Sequence, residues 1–253
     1  MDNWLSEPRS LPERRPVASA AVAAWALAGL CLVLGGLLAG GAGGRLMPPE
    51  GARWGEGLFL VLAAGALGAD MLRRLPLQSV FAALVLVAGP VWLLHGVSSA
   101  TGLPFGRIVF TERMGLRLPA GIPLAIPVLW IVVFFASRGT GEMLLRPWRE
   151  NRFYGLWLMG MTGALMLLVD LGLEPFATRI QGLWSWPVAP GRWAWFDSPL
   201  INFGGWMAAS LLLMVLTTPF LINKRPVAAE PGILPVFLWF ALVIRIGLGL
   251  DPA

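Results

Sequence analysis

Seven apolar runs, at 17–39, 56–72, 76–98, 119–137, 153–172, 199–221 and 232–250, take up most of a 253-residue chain. Each approaches the roughly 20 residues that a helix needs to cross a hydrocarbon core of about 30 Å. A chain inside that core must satisfy its own backbone groups, which leaves helices and closed barrels as the only spanning structures. The runs therefore predict an all-α, polytopic membrane bundle of about seven helices, a single embedded domain over 1–253 with 1–16 as a cytoplasmic tail. The first run exceeds the roughly 7 to 15 apolar residues of a signal peptide, so it reads as a retained anchor. The second run is the weakest. Composition points the same way: 57% of residues are hydrophobic and 13% charged, about half the charge of an ordinary globular domain.

The net charge of +5 would raise the question of nucleic acid in a soluble protein. Here the 19 basic residues, all arginine except Lys224, sit in short flanks between apolar runs. They carry topology information rather than forming a phosphate-binding stripe, so no nucleic-acid partner is expected. Eleven lie on the side of the N-terminus and seven on the other, with Arg245 inside the last run. The positive-inside rule then places the N-terminus in the cytoplasm of a cell membrane, and the long connections 99–118 and 173–198 outside. Connections longer than about 12 to 15 residues are often functional, and these two are rich in Gly, Pro and Trp. Cys31 is the lone cysteine and lies in the first run, which excludes an intrachain disulfide, and no Cys and His cluster could hold zinc or an iron–sulfur centre. No glycine-rich dinucleotide fingerprint follows a strand pattern, so neither a cofactor nor a metal is expected.

Charged side chains inside hydrocarbon cost on the order of 3 kcal/mol each, and each one present needs a reason. His95, Asp170 and Arg245 lie toward the outer ends of the third, fifth and seventh runs, and Asn202 toward the outer start of the sixth. All four fall near one membrane face, whichever way the chain is oriented. Each is either an interfacial residue or part of a site; Asp170 and Arg245 either pair across helices or stand apart. His95, the only histidine, is either a hydrogen-bonded packing residue or an acid or ligand.

Thirteen tryptophans are the second anomaly. Trp4, Trp25, Trp54, Trp148 and Trp157 suit an aromatic belt at the headgroups. Trp184, Trp186, Trp193 and Trp195 instead crowd one loop between Glu174 and Asn202. Indole faces stabilise a nearby cation by roughly 0.5 to 2 kcal/mol, so a wall of them beside a carboxyl suits chemistry that passes through a carbocation.

Three stretches together resemble one family. They are TGLPFG at 101–106 with GIPLAIPVLW at 121–130, DLGLEP at 170–175 leading to GLWSW at 182–186, and PLINFGGW at 199–206. The chain is similar over 95–215 to the membrane-bound carotenoid biosynthesis family that includes carotenoid 1,2-hydratases and bisanhydrobacterioruberin hydratases. The resemblance implies addition of water across the terminal double bond of an acyclic carotenoid end, giving a tertiary alcohol. It carries the family's acidic pair onto Asp170 and Glu174, its aromatic pair onto Trp184 and Trp186, and its Asn and aromatic residue onto Asn202 and Phe203. Phe105, Pro104, Trp206 and Trp195 are expected to line the substrate. The chain departs from the family in having Ile108, Phe110, Trp195 and Phe196 where tyrosines are usual, and His95 in place of an acidic residue.

An unactivated trisubstituted alkene adds water after protonation at its less substituted carbon, which leaves a tertiary cation for water to capture. The site needs a protonated acid, an oriented water and surroundings that favour developing positive charge. Asp170 and Glu174, four apart, share a face if the helix continues through them. One would serve as the acid and the other would orient water, with Asn202 as a further hydrogen-bond partner. His95, Glu112 and Arg245 are auxiliary candidates; Glu112 is the weakest acid because Arg113 and Arg117 beside it suggest a surface pair. Pro123 and Pro127 are expected to kink the fourth helix and open a slot through which a long polyene enters from the lipid. Two other classes compete with the hydratase reading. One is a transporter or channel lined by Asp170 and Arg245, which lacks an inverted repeat. The other is a non-catalytic carotenoid-binding assembly subunit, which would not need the acids.

The charge bias generates a topology test. Cysteines introduced as Leu118→Cys and Arg149→Cys should label from opposite sides of the membrane, Leu118→Cys from outside. Labelling of both from one side rules the arrangement out.

Overall fold

The computed structural model describes residues 15–39, 54–187, 193–222 and 232–250. The expected cytoplasmic tail therefore lies outside the described residues up to position 14, as does Trp4. Seven helices run through the described chain: α1 (Arg15–Ala39), α2 (Trp54–Leu72), α3 (Leu77–Thr101), α4 (Ala125–Leu144), α5 (Tyr154–Pro175), α6 (Leu200–Leu221) and α7 (Leu234–Leu250). The first six are long and apolar enough to cross a membrane, whereas α7, with 17 residues, is shorter. The protein is thus a multi-pass helical membrane bundle.

α4 sits at the centre. It packs on α2, α3, α5 and α7, and 72% of its apolar window is buried inside the protein. α1 lies against α2 and α7, and α6 closes the bundle between α3 and α5. Lipid is as apolar as leucine, so helices in a bilayer associate through close packing and polar contacts rather than a hydrophobic drive. Small residues at the contacts permit that approach. A side chain at Gly163 on α5 would run into Met207 and Ser210 of α6. At Gly205 on α6, a Cβ would come within 2.7 Å of both the Phe105 ring and the Pro104 carbonyl oxygen.

α4 departs from the expected span of 119–137. Residues Pro119–Gly121 form a short 3-10 turn in which Ala120 takes a positive φ of 64°, and the helix begins only at Ala125. Pro123 precedes it, and Pro127 falls in its first turn, where backbone N–H groups have no partner inside the helix. Neither proline kinks the membrane segment, and the slot expected from such kinks is not formed by them. At the other end α4 passes Arg138, which the sequence reading places in a cytoplasmic flank. Arg138 and Glu142, four apart, pair at 2.5 Å, and Arg74 of the α2–α3 turn approaches Glu142 at 3.7 Å. Paired charges remove the reason for the helix to stop.

The two long connections fold over one end of the bundle as a joint cap. α3 stops at Gly102, a left-handed residue whose N–H bonds Ser98 O at 2.8 Å. The Ser98 hydroxyl donates to Gly106 O at 2.7 Å and accepts the Phe105 N–H at 3.0 Å, which pins the turn and drives Phe105 inward. Strand β1 (Val109–Phe110) then pairs antiparallel with β2 (Trp184–Ser185), aligning Phe110 with Trp184. Thr111 Oγ1 donates to Gly182 O at 2.7 Å, and Arg113 Nη1 to Gln181 O at 2.9 Å, so the connections are stitched together. A second pair, β3 (Ala194–Trp195) with β4 (Ser198–Pro199), leads into α6.

The Gly205 contact makes a stability prediction. Gly205→Ala should destabilise the purified protein by about 1–3 kcal/mol, the usual cost of overpacking. Gly204→Ala, at a helical position where a Cβ meets nothing within 4 Å, should not lower the thermal midpoint in detergent and should raise it slightly through better helix propensity.

Candidate active site

The helix does continue through both carboxyls. α5 runs to Pro175, so Asp170 and Glu174, four apart, project from one face. Pro175 cannot donate a backbone hydrogen bond, and the ladder passes there into a π-helical turn, Phe176–Ile180. Asp170 is 0% and Glu174 2% exposed. Opposite them stands Asn202, in the first turn of α6 and equally buried. Its amide Nδ2 donates to Asp170 Oδ2 at 3.0 Å and to Glu174 Oε1 at 3.1 Å. One side chain thus bridges both acids from the N-terminal turn of α6, whose dipole favours negative charge and opposes that of the α5 C-terminal end on which the acids stand.

The cap supplies the remaining donors. In an extended chain alternate residues face the same way, so Trp184 and Trp186 both turn inward while Ser185 between them is exposed. Trp186 Nε1 donates to Glu174 Oε2 at 2.7 Å and Trp184 Nε1 to the same oxygen at 3.3 Å. Glu174 therefore accepts three N–H bonds spread over its two oxygens. Asp170 accepts one, and its Oδ1 has no hydrogen-bond partner among the described residues. Among those residues no group of three or more His, Cys, Asp or Glu is placed to hold a metal.

The expected cluster of four indoles divides. Trp184 and Trp186 join the carboxyls, whereas Trp193 is 86% exposed and Trp195 lies half in solvent, donating to Leu171 O at 2.9 Å. The other expected substrate residues gather on the α6 side. Phe105 is fully buried with Pro104 against Gly205, Trp206 is buried and stacked on Trp130 of α4 at 4.1 Å, and Phe203 is half-buried. His95 belongs to this aromatic layer: its ring stacks on Phe105 at 4.5 Å and meets Trp130 edge-on at 6.0 Å and Phe110 at 6.1 Å. Neither of its ring nitrogens has a hydrogen-bond partner among the described residues. Trp130 was invisible as a site residue in the sequence, because a tryptophan in an apolar run looks the same whether it faces lipid or core.

Two auxiliary candidates lie elsewhere. Glu112 is exposed and pairs with Arg117 at 2.9 Å, a surface pair as its neighbours suggested. Arg245 does not pair with Asp170. It forms an ion pair with Glu56 in the first turn of α2 and lies 5.0 Å from the Phe176 ring centroid. Glu56 escaped the sequence reading, although its place at the outer start of the second run put it at the depth of Arg245. This pair stands in the wall of a cavity of about 360 Å³ between α2, α4, α5 and α7. Neither Asp170 nor Glu174 lines it, but Trp184, a donor to Glu174, does.

Comparison with protein-family models matches residues 55–250 to the family described as carotenoid biosynthesis protein. The chain belongs to the carotenoid biosynthesis protein family. The match extends beyond 95–215, so the family likeness takes in α2 and α7. Comparison with curated proteins and with solved structures gave no match. In this member of the family the carboxyls, their bridging amide and the two indoles all fall inside the matched segment.

The shared amide predicts a sharp dependence on Asn202. Asn202→Leu would strip both buried carboxyls of a common donor, and an unpaired buried polar group costs about 1–3 kcal/mol. The thermal midpoint of the purified protein should fall accordingly, while Phe203→Leu at the half-buried neighbour should shift it less.

Proposed function

We propose that the protein is a hydratase that adds water across the terminal double bond of an acyclic end of a linear carotenoid, giving a tertiary alcohol. The observation that carries the reading is the buried pair Asp170 and Glu174 bridged by Asn202, within a chain of a carotenoid biosynthesis family. Membership of that family suggests a biosynthetic enzyme; the hydro-lyase class is our reading of the site.

The donor pattern supports a division of roles. Three N–H bonds on Glu174 match a carboxylate, whereas Asp170, with one donor and a free oxygen, is fitted to carry the proton. In the forward step the Asp170 O–H proton goes to the less substituted alkene carbon, and the π pair becomes the new C–H bond. The tertiary cation forms within reach of the Trp184 and Trp186 ring faces, whose π density favours it. Water oriented by the anionic carboxyl attacks the cation, and the proton released from the resulting oxonium returns to the pair. The net change is one H and one OH added, and the acid is regenerated. The substrate is a polyene drawn from the lipid phase, the N-terminus is cytoplasmic, and turnover needs no added nicotinamide, flavin or metal.

Expression in a bacterium engineered to accumulate linear carotenes should yield pigment heavier by one water for each hydrated end. Asp170→Asn keeps size and the bond from Asn202 while removing the proton to be donated, and Glu174→Gln removes the negative charge that orients water and sets an amide NH2 against an N–H donor. Either should lower product formation by about 100- to 10,000-fold, the usual contribution of a positioned general acid or base, in protein that is still inserted in the membrane. Near wild-type yield from both variants places the acid elsewhere.

A further inference from the structure

The cavity beside the carboxyls is not explained by the acid cluster. Its walls are almost entirely hydrocarbon and aromatic side chains, among them Leu60 of α2, Val128 of α4, and Phe176 and Trp184 at the end of α5 and in the cap. The charged groups in the wall are Glu56, Arg245 and Arg113. Glu56 and Arg245 neutralise each other, and Arg113, which donates to the Gln181 carbonyl oxygen, leaves one positive charge at the cap end of the wall. The predominance of hydrocarbon in the lining favours an apolar occupant. At about 360 Å³ the space lies within the roughly 300 to 1,000 Å³ range of small-molecule sites, enough for one end of a long chain and too small for all of it.

One feature of α2 keeps this space open. Gly57 lies on the cavity wall, one residue from Glu56, and a Cβ built there meets nothing within 4 Å. Gly57 falls in the first turn of α2, and no close approach of another element requires a glycine there. What its absent side chain provides is room. Across the cavity, Trp184 is the shared wall: one side of its setting faces the cavity, while its Nε1 donates to Glu174.

We infer that this cavity, bounded by α2, α4, α5 and α7, is the binding site for one end of a neutral linear isoprenoid chain, with Gly57 as the residue that admits it and Trp184 as its contact with the carboxyl pair. The inference rests on the proposed function for the nature of the ligand and adds where that ligand is held. A chain seated there lies against the indole that holds Glu174, so occupancy of the cavity and the setting of the acid pair are mechanically linked.

The test uses the full-length protein expressed in a lycopene-accumulating bacterium and purified in detergent, with co-purified pigment measured by absorbance and identified by mass. Wild type and Asp170→Asn should both retain polyene, because Asp170 does not line the cavity. Gly57→Phe should fill the space from α2 and reduce bound polyene at least about tenfold, a change of about 1.4 kcal/mol in binding. Val128→Phe, which fills it from α4, should do the same, so misfolding of one variant does not remove the test. Both are judged against wild-type monodispersity and thermal midpoint. Wild-type pigment content in a folded Gly57→Phe or Val128→Phe protein overturns the inference, as does finding phospholipid in place of polyene in the wild type. If Gly57→Phe loses pigment but wild type never forms the water adduct, the binding site stands and the hydratase reading fails.

Discussion

A single asparagine amide holds two buried carboxyls together across two membrane helices, and much of the capped end of the molecule is arranged around that fact. An acid pair without such a donor would be very costly in hydrocarbon, where polar groups have no water to turn to. Asn202 satisfies one oxygen of each, and the two indoles satisfy the remaining Glu174 oxygen. For those bonds to form, α5 and α6 must approach closely, which Gly163 allows, and α6 must begin at Leu200, just before Asn202. The cap must also bring an extended segment over the end of α5. The polar site and the packing of the bundle are therefore one problem with one solution.

The aromatic layer on the α3 side adds rigidity of a different kind. Trp206 on α6, Trp130 on the central α4 and the pair His95 and Phe105 form a continuous series of ring contacts. Rings have few rotatable bonds, so such a series fixes the relative rotation of three helices at modest entropic cost. Asn202 sits one turn from Trp206 on α6, and its amide is aimed by the same rotation. Phe105 is placed by the Ser98 hydroxyl, which satisfies two backbone groups of the turn at once. The motif stretch 101–106 thus acts as a wedge against α6 rather than as a set of reacting groups.

Much of this was legible in the sequence. Run length gave the helices, and the depth of Asp170, His95, Asn202 and Arg245 along their runs gave their common level. The spacing of four between Asp170 and Glu174 gave their shared face. The errors are equally instructive. The start of α4 was misplaced because a run of apolar residues does not show where a turn ends and a helix begins; Pro119–Gly121 folds as a 3-10 turn with Ala120 at positive φ, and the helix starts only after Pro123. Its end was misplaced because Arg138 looked like a boundary until Glu142 neutralised it. Of the four clustered tryptophans, local strand alternation explains why Trp184 and Trp186 act together, but nothing in the spacing says that Trp193 and Trp195 remain outside.

What the sequence determined by itself is periodic or local: membrane embedding, the seven helices of the described residues, and which residues share a helix face or strand face. These follow from backbone geometry and the absence of water in hydrocarbon, which act on every residue without reference to distant ones. What only the tertiary structure decided is partnership. Arg245 binds Glu56, 189 residues away in sequence, and leaves Asp170 to Asn202. Glu56, Asp170, Arg245 and Asn202 at one depth are compatible with several pairings, and helix rotation and lateral order select among them. Those are set by the summed packing of small residues and rings along whole helices, a property that no single motif carries.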